Sequence, residues 1–220
     1  MSPDLATQLL NIAAGAFLFT AVLILWRREL ASIIDVFALQ GVALAAMVAI
    51  IAAEEHSVEL AAVAVGVLAL RAGVLPWLLR RALSHAGATR RETQPLVNVV
   101  TSLLAAAALT LLAYAVSLPL VALDPSPAAH AIPVGIAVML IGFFVLVTRR
   151  LALSQLVGFL LMDNGITAVG FLTTAGVSLI VELGVTLDVL LVVLVLQVLK
   201  TRMREAFGAT DLDELRELHD

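Results

Sequence analysis

The stretch LVTRRLALSQLVGFLLMDNGITAVGFLTTA (residues 146–175) holds the pattern that decides the fold. After Arg149 and Arg150 come the twenty-five residues 151–175, with Asp163 as their one charge. A bilayer core accepts about 20 apolar residues per spanning helix, so this segment is long enough to cross. A basic pair marks one end of it, and a lone acid lies near its middle.

The same grammar repeats along the chain. Apolar runs bounded by charges or turn residues predict seven spans, at residues 5–26, 33–53, 60–79, 96–120, 132–147, 151–175 and 183–199. Composition agrees: 62% of the residues are hydrophobic and 14% charged, against about 25% charged in a soluble domain. The mean hydropathy is +1.09. A soluble fold of this length has too little interior to hide so much apolar surface. The expected class is therefore all-α, a polytopic membrane protein in three parts: a four-helix region (1–128), a three-helix region (129–204) and an acidic cytoplasmic tail (205–220). That tail reads either as an amphipathic helix that docks on a partner or as a frayed, solvated end.

Charge sets the expected orientation. Of the thirteen Lys and Arg residues, Arg71 alone falls inside an apolar run. The others follow the first, third, fifth and seventh spans, as Arg27-Arg28, Arg80-Arg81 through Arg90-Arg91, Arg149-Arg150, and Lys200, Arg202 and Arg204 with the tail. The remaining loops carry only acids, among them Asp4, Glu54, Glu55, Glu59, Asp124 and Glu182. The positive-inside rule then predicts an outside N-terminus and a cytoplasmic C-terminus. No basic n-region precedes the first apolar run, so no cleavable signal peptide is expected.

Several chemistries are excluded at this level. The chain has no cysteine, hence no disulfide, thiolate-bound zinc or iron–sulfur cluster of its own. The four histidines, His56, His85, His130 and His219, fall in expected loops or the tail without metal-ligand spacing. No Ser/His/Asp spacing or phosphate loop is present. Nothing points to nucleic acid.

Attention therefore turns to charges within the membrane. Even on the lenient insertion scale, one at the bilayer centre costs about 2.5–3.5 kcal/mol. Arg71, Asp163 and Asp188 qualify, with Asp35 nearer the inner boundary. At 1.5 Å per helical residue, Asp163 lies roughly 20 Å beyond Arg150, Asp188 roughly 18 Å before Lys200, and Arg71 roughly 14 Å before Arg80. The long arginine side chain spans that difference, so a compact network of one arginine and two level aspartates is expected. Asn164 and Gly165 add an amide and a close backbone approach. Gln40 and Gln197 extend the polar set, and Pro76 removes the hydrogen bond to the Ala72 carbonyl, predicting a distortion beside Arg71. Such a network serves either ion handling or static helix adhesion. A carboxylate paired with an arginine keeps its charge, whereas an unpaired one in an apolar site can exchange protons.

Internal duplication is a further possibility. Arg27-Arg28 recurs 122 positions later as Arg149-Arg150, and Val58-Glu59-Leu60 resembles Val181-Glu182-Leu183. Spans one to three and five to seven would then be parallel repeats, with a chance match in low-complexity sequence as the competing reading.

The stretches RRLALSQLVGFLLMDNGI (149–166) and VELGVTLDVLLVVLVL (181–196) resemble the membrane subunit called component E of hydrogenase-4, from the formate hydrogenlyase-like, energy-converting [NiFe] hydrogenase complexes. The C-terminal half is also similar to subunit K of respiratory complex I and its counterpart in multisubunit cation/proton antiporters. Gly158, Asn164, Asp188 and the flanking basic residues carry this second likeness. The resemblance implies a non-catalytic membrane-arm subunit of a prokaryotic cytoplasmic-membrane complex, with antiporter-like and quinone-site-type neighbours and a peripheral hydrogenase arm. Nickel–iron and iron–sulfur centres would reside in those partners, with no cofactor in this chain. Proton-path candidates are Asp163, Asp188, Arg71, Asn164 and Asp35. One departure is Leu160, which stands where the complex I subunit has its first membrane glutamate; Asp163 lies one turn away. Two other readings stay open: a stand-alone proton or sodium transporter, and a structural spacer.

Overall fold

The structure, a computed structural model, describes residues 2–85, 97–123 and 126–174. The expected seventh span, with Asp188 and Gln197, and the acidic tail lie outside the described residues. So does any test of the three-part division or of a complete second repeat.

Six helices in the described residues are long and apolar enough to cross a membrane, and they are those of a multi-pass membrane protein. They are α1 (Pro3–Trp26), α2 (Leu30–Glu55), a composite third span, α5 (Val99–Leu123), α6 (Pro127–Thr148) and α7 (Ala152–Thr174). The third span runs through α3 (Val58–Val67), a π-helical segment (Leu68–Val74) and α4 (Leu75–His85). Several helices overrun the hydrophobic runs that predicted them, because flanking residues such as Glu54 and Glu55 continue the backbone hydrogen bonding into the polar layer.

Connections are short and locally determined. His56 turns α2 into α3 in the left-handed conformation, at φ 54°, and Ser57 caps α3 by accepting from the Leu60 N–H at 3.2 Å. Ser126 caps α6 by accepting from the Ala129 N–H at 3.1 Å, with Pro127 at the first helical position, where its missing N–H costs nothing. His130, expected in a loop, sits instead in the first turn of α6.

Packing is densest between α6 and α7, and glycine is the reason. A side-chain carbon on Gly142 would strike the Met162 backbone, and one on Gly165 the Met139 backbone. Gly158 lies against Leu146 and Gly135 against Val169. Each step forward along α6 matches an equal step back along α7, as an antiparallel register requires. In a membrane, close backbone approach of this kind replaces the hydrophobic drive that water would supply.

Two hairpins, α1–α2 and α6–α7, lie side by side with α1 against α6 and α2 against α7. At one end of this arrangement the arginine pairs gather. The buried Arg149 side chain reaches across to the end of α1 and donates from Nη2 to the carbonyls of Ile24, Leu25 and Arg27 at 3.3, 3.1 and 3.3 Å. Ile24 and Leu25 belong to the last turn of α1 and Arg27 is its C-cap, where carbonyls have no partner within the helix. α1 and α6 therefore run parallel and finish together.

Candidate functional site

α7 has two faces with different tasks. At 100° per residue, Gly158 and Gly165 share the side turned to α6, whereas Asp163 and Thr167, one turn apart, lie opposite. The glycines seat the helix, and the polar residues are thereby aimed at the third span.

Arg71 meets them there. It is the central residue of the Val58–Ser84 span, and Asp163 is the central residue of Leu153–Thr173. The guanidinium is 1% exposed, and its Nη2 lies 2.8 Å from Asp163 Oδ2. The same nitrogen donates to Thr167 Oγ1 at 2.8 Å, and Nη1 donates to Asn164 Oδ1.

The backbone at Arg71 is π-helical. The Leu75 N–H bonds to the Leu70 carbonyl, five residues back instead of four, just before Pro76. The distortion predicted from Pro76 thus takes the form of a register change, a feature common at functional sites. Gly41 of α2 lets this segment come close, since a side-chain carbon there would lie 2.7 Å from the Arg71 carbonyl carbon.

A chain of amides continues the network. Asn164 Nδ2 donates to Gln40 Oε1 at 2.9 Å, and Gln40 Nε2 donates to the Phe17 carbonyl at 3.5 Å. Chemistry fixes its polarity. An arginine has only donors, so Asn164 must offer its oxygen; its nitrogen then donates to Gln40, whose nitrogen is left for Phe17. The chain links four spans near mid-length and ends on a backbone carbonyl that also accepts from Thr20 Oγ1 at 2.9 Å. It anchors helices on the α1 side, and among the described residues no acid joins it there. Asp163, 6% exposed, is the carboxylate of this network.

The expected residues thus divide. Arg71, Asp163 and Asn164 come together, with Gln40 as an extension. Asp35 does not join them: it lies at the arginine-rich end, exposed, and pairs with Arg80 at 2.6 Å. Asp188 lies outside the described residues. Thr167 and Arg149 were missed. Thr167 had a signal, its spacing of four from Asp163 on the same helix face. Arg149 had none beyond its place in a basic pair, which reads equally well as solvated charge.

Across the whole sequence, the chain is 51% identical over 212 residues to the uncharacterized protein Rv0085 of Mycobacterium tuberculosis, covering 96% of each chain. The chain belongs to the Rv0085 family. No family model matches it, and no solved structure does. The kinship with Rv0085 spans nearly the full length of both sequences.

Proposed function

We propose that the chain is a non-catalytic membrane-arm subunit of a complex-I-like, energy-converting hydrogenase or related oxidoreductase in a prokaryotic cytoplasmic membrane. It spans that membrane seven times, with the N-terminus outside. Its neighbours are antiporter-like and quinone-site-type subunits and a peripheral arm that carries the nickel–iron and iron–sulfur centres. Its own share is a stretch of midplane proton path together with the packing that holds the arm in line.

One observation carries this reading: an arginine and an aspartate, each central in its span, pair in the interior at 2.8 Å. Intramembrane charges are costly to insert and tend to mark ion and proton pathways. The resemblance of residues 149–166 and 181–196 to component E supplies the setting. Absence of cysteine is consistent with redox chemistry in other chains.

A second reading has its own support. Asp163, Asn164 and Gln40 all have partners, and the amide chain ends on a carbonyl, as suits a structural clamp. Asp163→Asn in the assembled complex separates the two. On the proton-path reading, substrate-driven acidification of inverted membrane vesicles falls at least about tenfold while the subunit complement is unchanged. Undiminished acidification with normal assembly leaves only the clamp.

A further inference from the structure

The arginine pairs at the common end of the helices are not equivalent. Arg80 is occupied by Asp35 at 2.6 Å, and the Arg81 guanidinium lies 5.5 Å from the centre of the Trp77 ring, an arrangement that satisfies part of its charge. Arg27 and Arg28 differ. Both are exposed, and among the described residues neither side chain has a hydrogen-bond or ion-pair partner. Glu29, adjacent in sequence, forms no ion pair with them.

Their surroundings favour an anion. A helix C-terminus normally presents carbonyl oxygens and a negative partial charge, which would repel a phosphate. Here Arg149 covers three of those carbonyls at the end of α1, so the helix end no longer opposes an anion at Arg27 and Arg28. Trp26, 63% exposed, is the last residue of α1, where an indole ring sits well at headgroup level.

We propose that the α1–α2 junction binds the headgroup of an anionic phospholipid, with Arg27 and Arg28 on the phosphate and Trp26 beside the glycerol region. Arg149 acts as a positioning residue that neutralises the helix end. Charge complementarity selects this occupant: unpaired arginines next to an exposed interfacial tryptophan match a ligand that is anionic at one end and apolar at the other.

The test uses the full-length protein purified in neutral detergent. Dioleoyl phosphatidylglycerol is titrated against dioleoyl phosphatidylcholine, and bound lipid is counted by native mass spectrometry. The wild type should retain phosphatidylglycerol in preference. Retention should fall about fivefold for each arginine lost in Arg27→Gln and Arg28→Gln, with their double variant lower still. Lysine at both positions should restore most of it, and Arg80→Gln/Arg81→Gln should change it less than about twofold. Circular dichroism and gel filtration confirm that each variant is folded. Equal losses in the two glutamine pairs would mean a diffuse charge effect and overturn the proposal. So would a wild type without lipid preference, or displacement of phosphatidylglycerol by equimolar inorganic phosphate, which would make this a soluble-phosphate site.

Discussion

Arg71 and Asp163 depend on each other. Removing one partner of a buried pair leaves the other charge uncompensated, at about 3–5 kcal/mol, whereas replacing both with apolar residues of similar size is often nearly neutral. Arg71→Met and Asp163→Leu should therefore each lower the unfolding free energy in detergent by about 3 kcal/mol or more, and the double variant by less than either. A double-mutant cycle by denaturant titration reads this directly, and strictly additive losses would show that the two charges act independently. The pair was legible in sequence because charges are rare in apolar runs and the long arginine side chain spans the difference between the two depths. Asn164 followed from its neighbour, and Gln40 was visible as a polar residue in an apolar run. Thr167 was obscured because a helical threonine usually satisfies itself on its own backbone, as Thr110 does on Ala106 at 2.8 Å. Asp35 had the right residue type, but its depth brought it within reach of Arg80.

Among the elements, hydrophobic runs revealed where helices lie but not how closely they approach. Gly165 was expected to allow a close backbone approach, and it does, against Met139; Gly135, Gly142 and Gly158 gave no such sign, and only the facing helix shows that no side chain fits there. Gly142→Ala should cost about 1–3 kcal/mol by forcing α6 from α7. Gly15→Ala, with nothing within 4 Å of the added carbon, should stabilise by up to about 1 kcal/mol through helix propensity alone. Thermal unfolding of both variants in one detergent checks the contrast, which vanishes if α6 and α7 are loosely packed. The π-helical segment was only half legible. Pro76 announced a disturbance, but the extra residue per turn at Leu68–Val74 depends on the fit of Arg71 against Asp163 and Gly41, which are distant in sequence.

For the whole molecule, the sorting of charge recurs in space. Arg149 touches the end of α1, Arg80 touches the start of α2, and both contacts lie at one end of the helices. This much the arginine spacing foretold, because loops alternate between ends whenever each span crosses fully. With no native cysteine, single substitutions report orientation without background. Arg28→Cys should react with a membrane-impermeant maleimide only after the cytoplasmic face is opened, and Glu55→Cys should react from outside in intact cells. The reverse pattern would invert the proposed topology. The proposed role rests on company that one chain alone does not display, so the most direct measurement is affinity purification from native membranes in mild detergent, followed by mass spectrometry of what accompanies the tagged protein. Antiporter-like membrane subunits and [NiFe]-hydrogenase-type or iron–sulfur proteins, in fixed proportion to it, are the predicted result. A homogeneous preparation of this chain alone, stable and active in ion transport when placed in liposomes, would contradict the membrane-arm account.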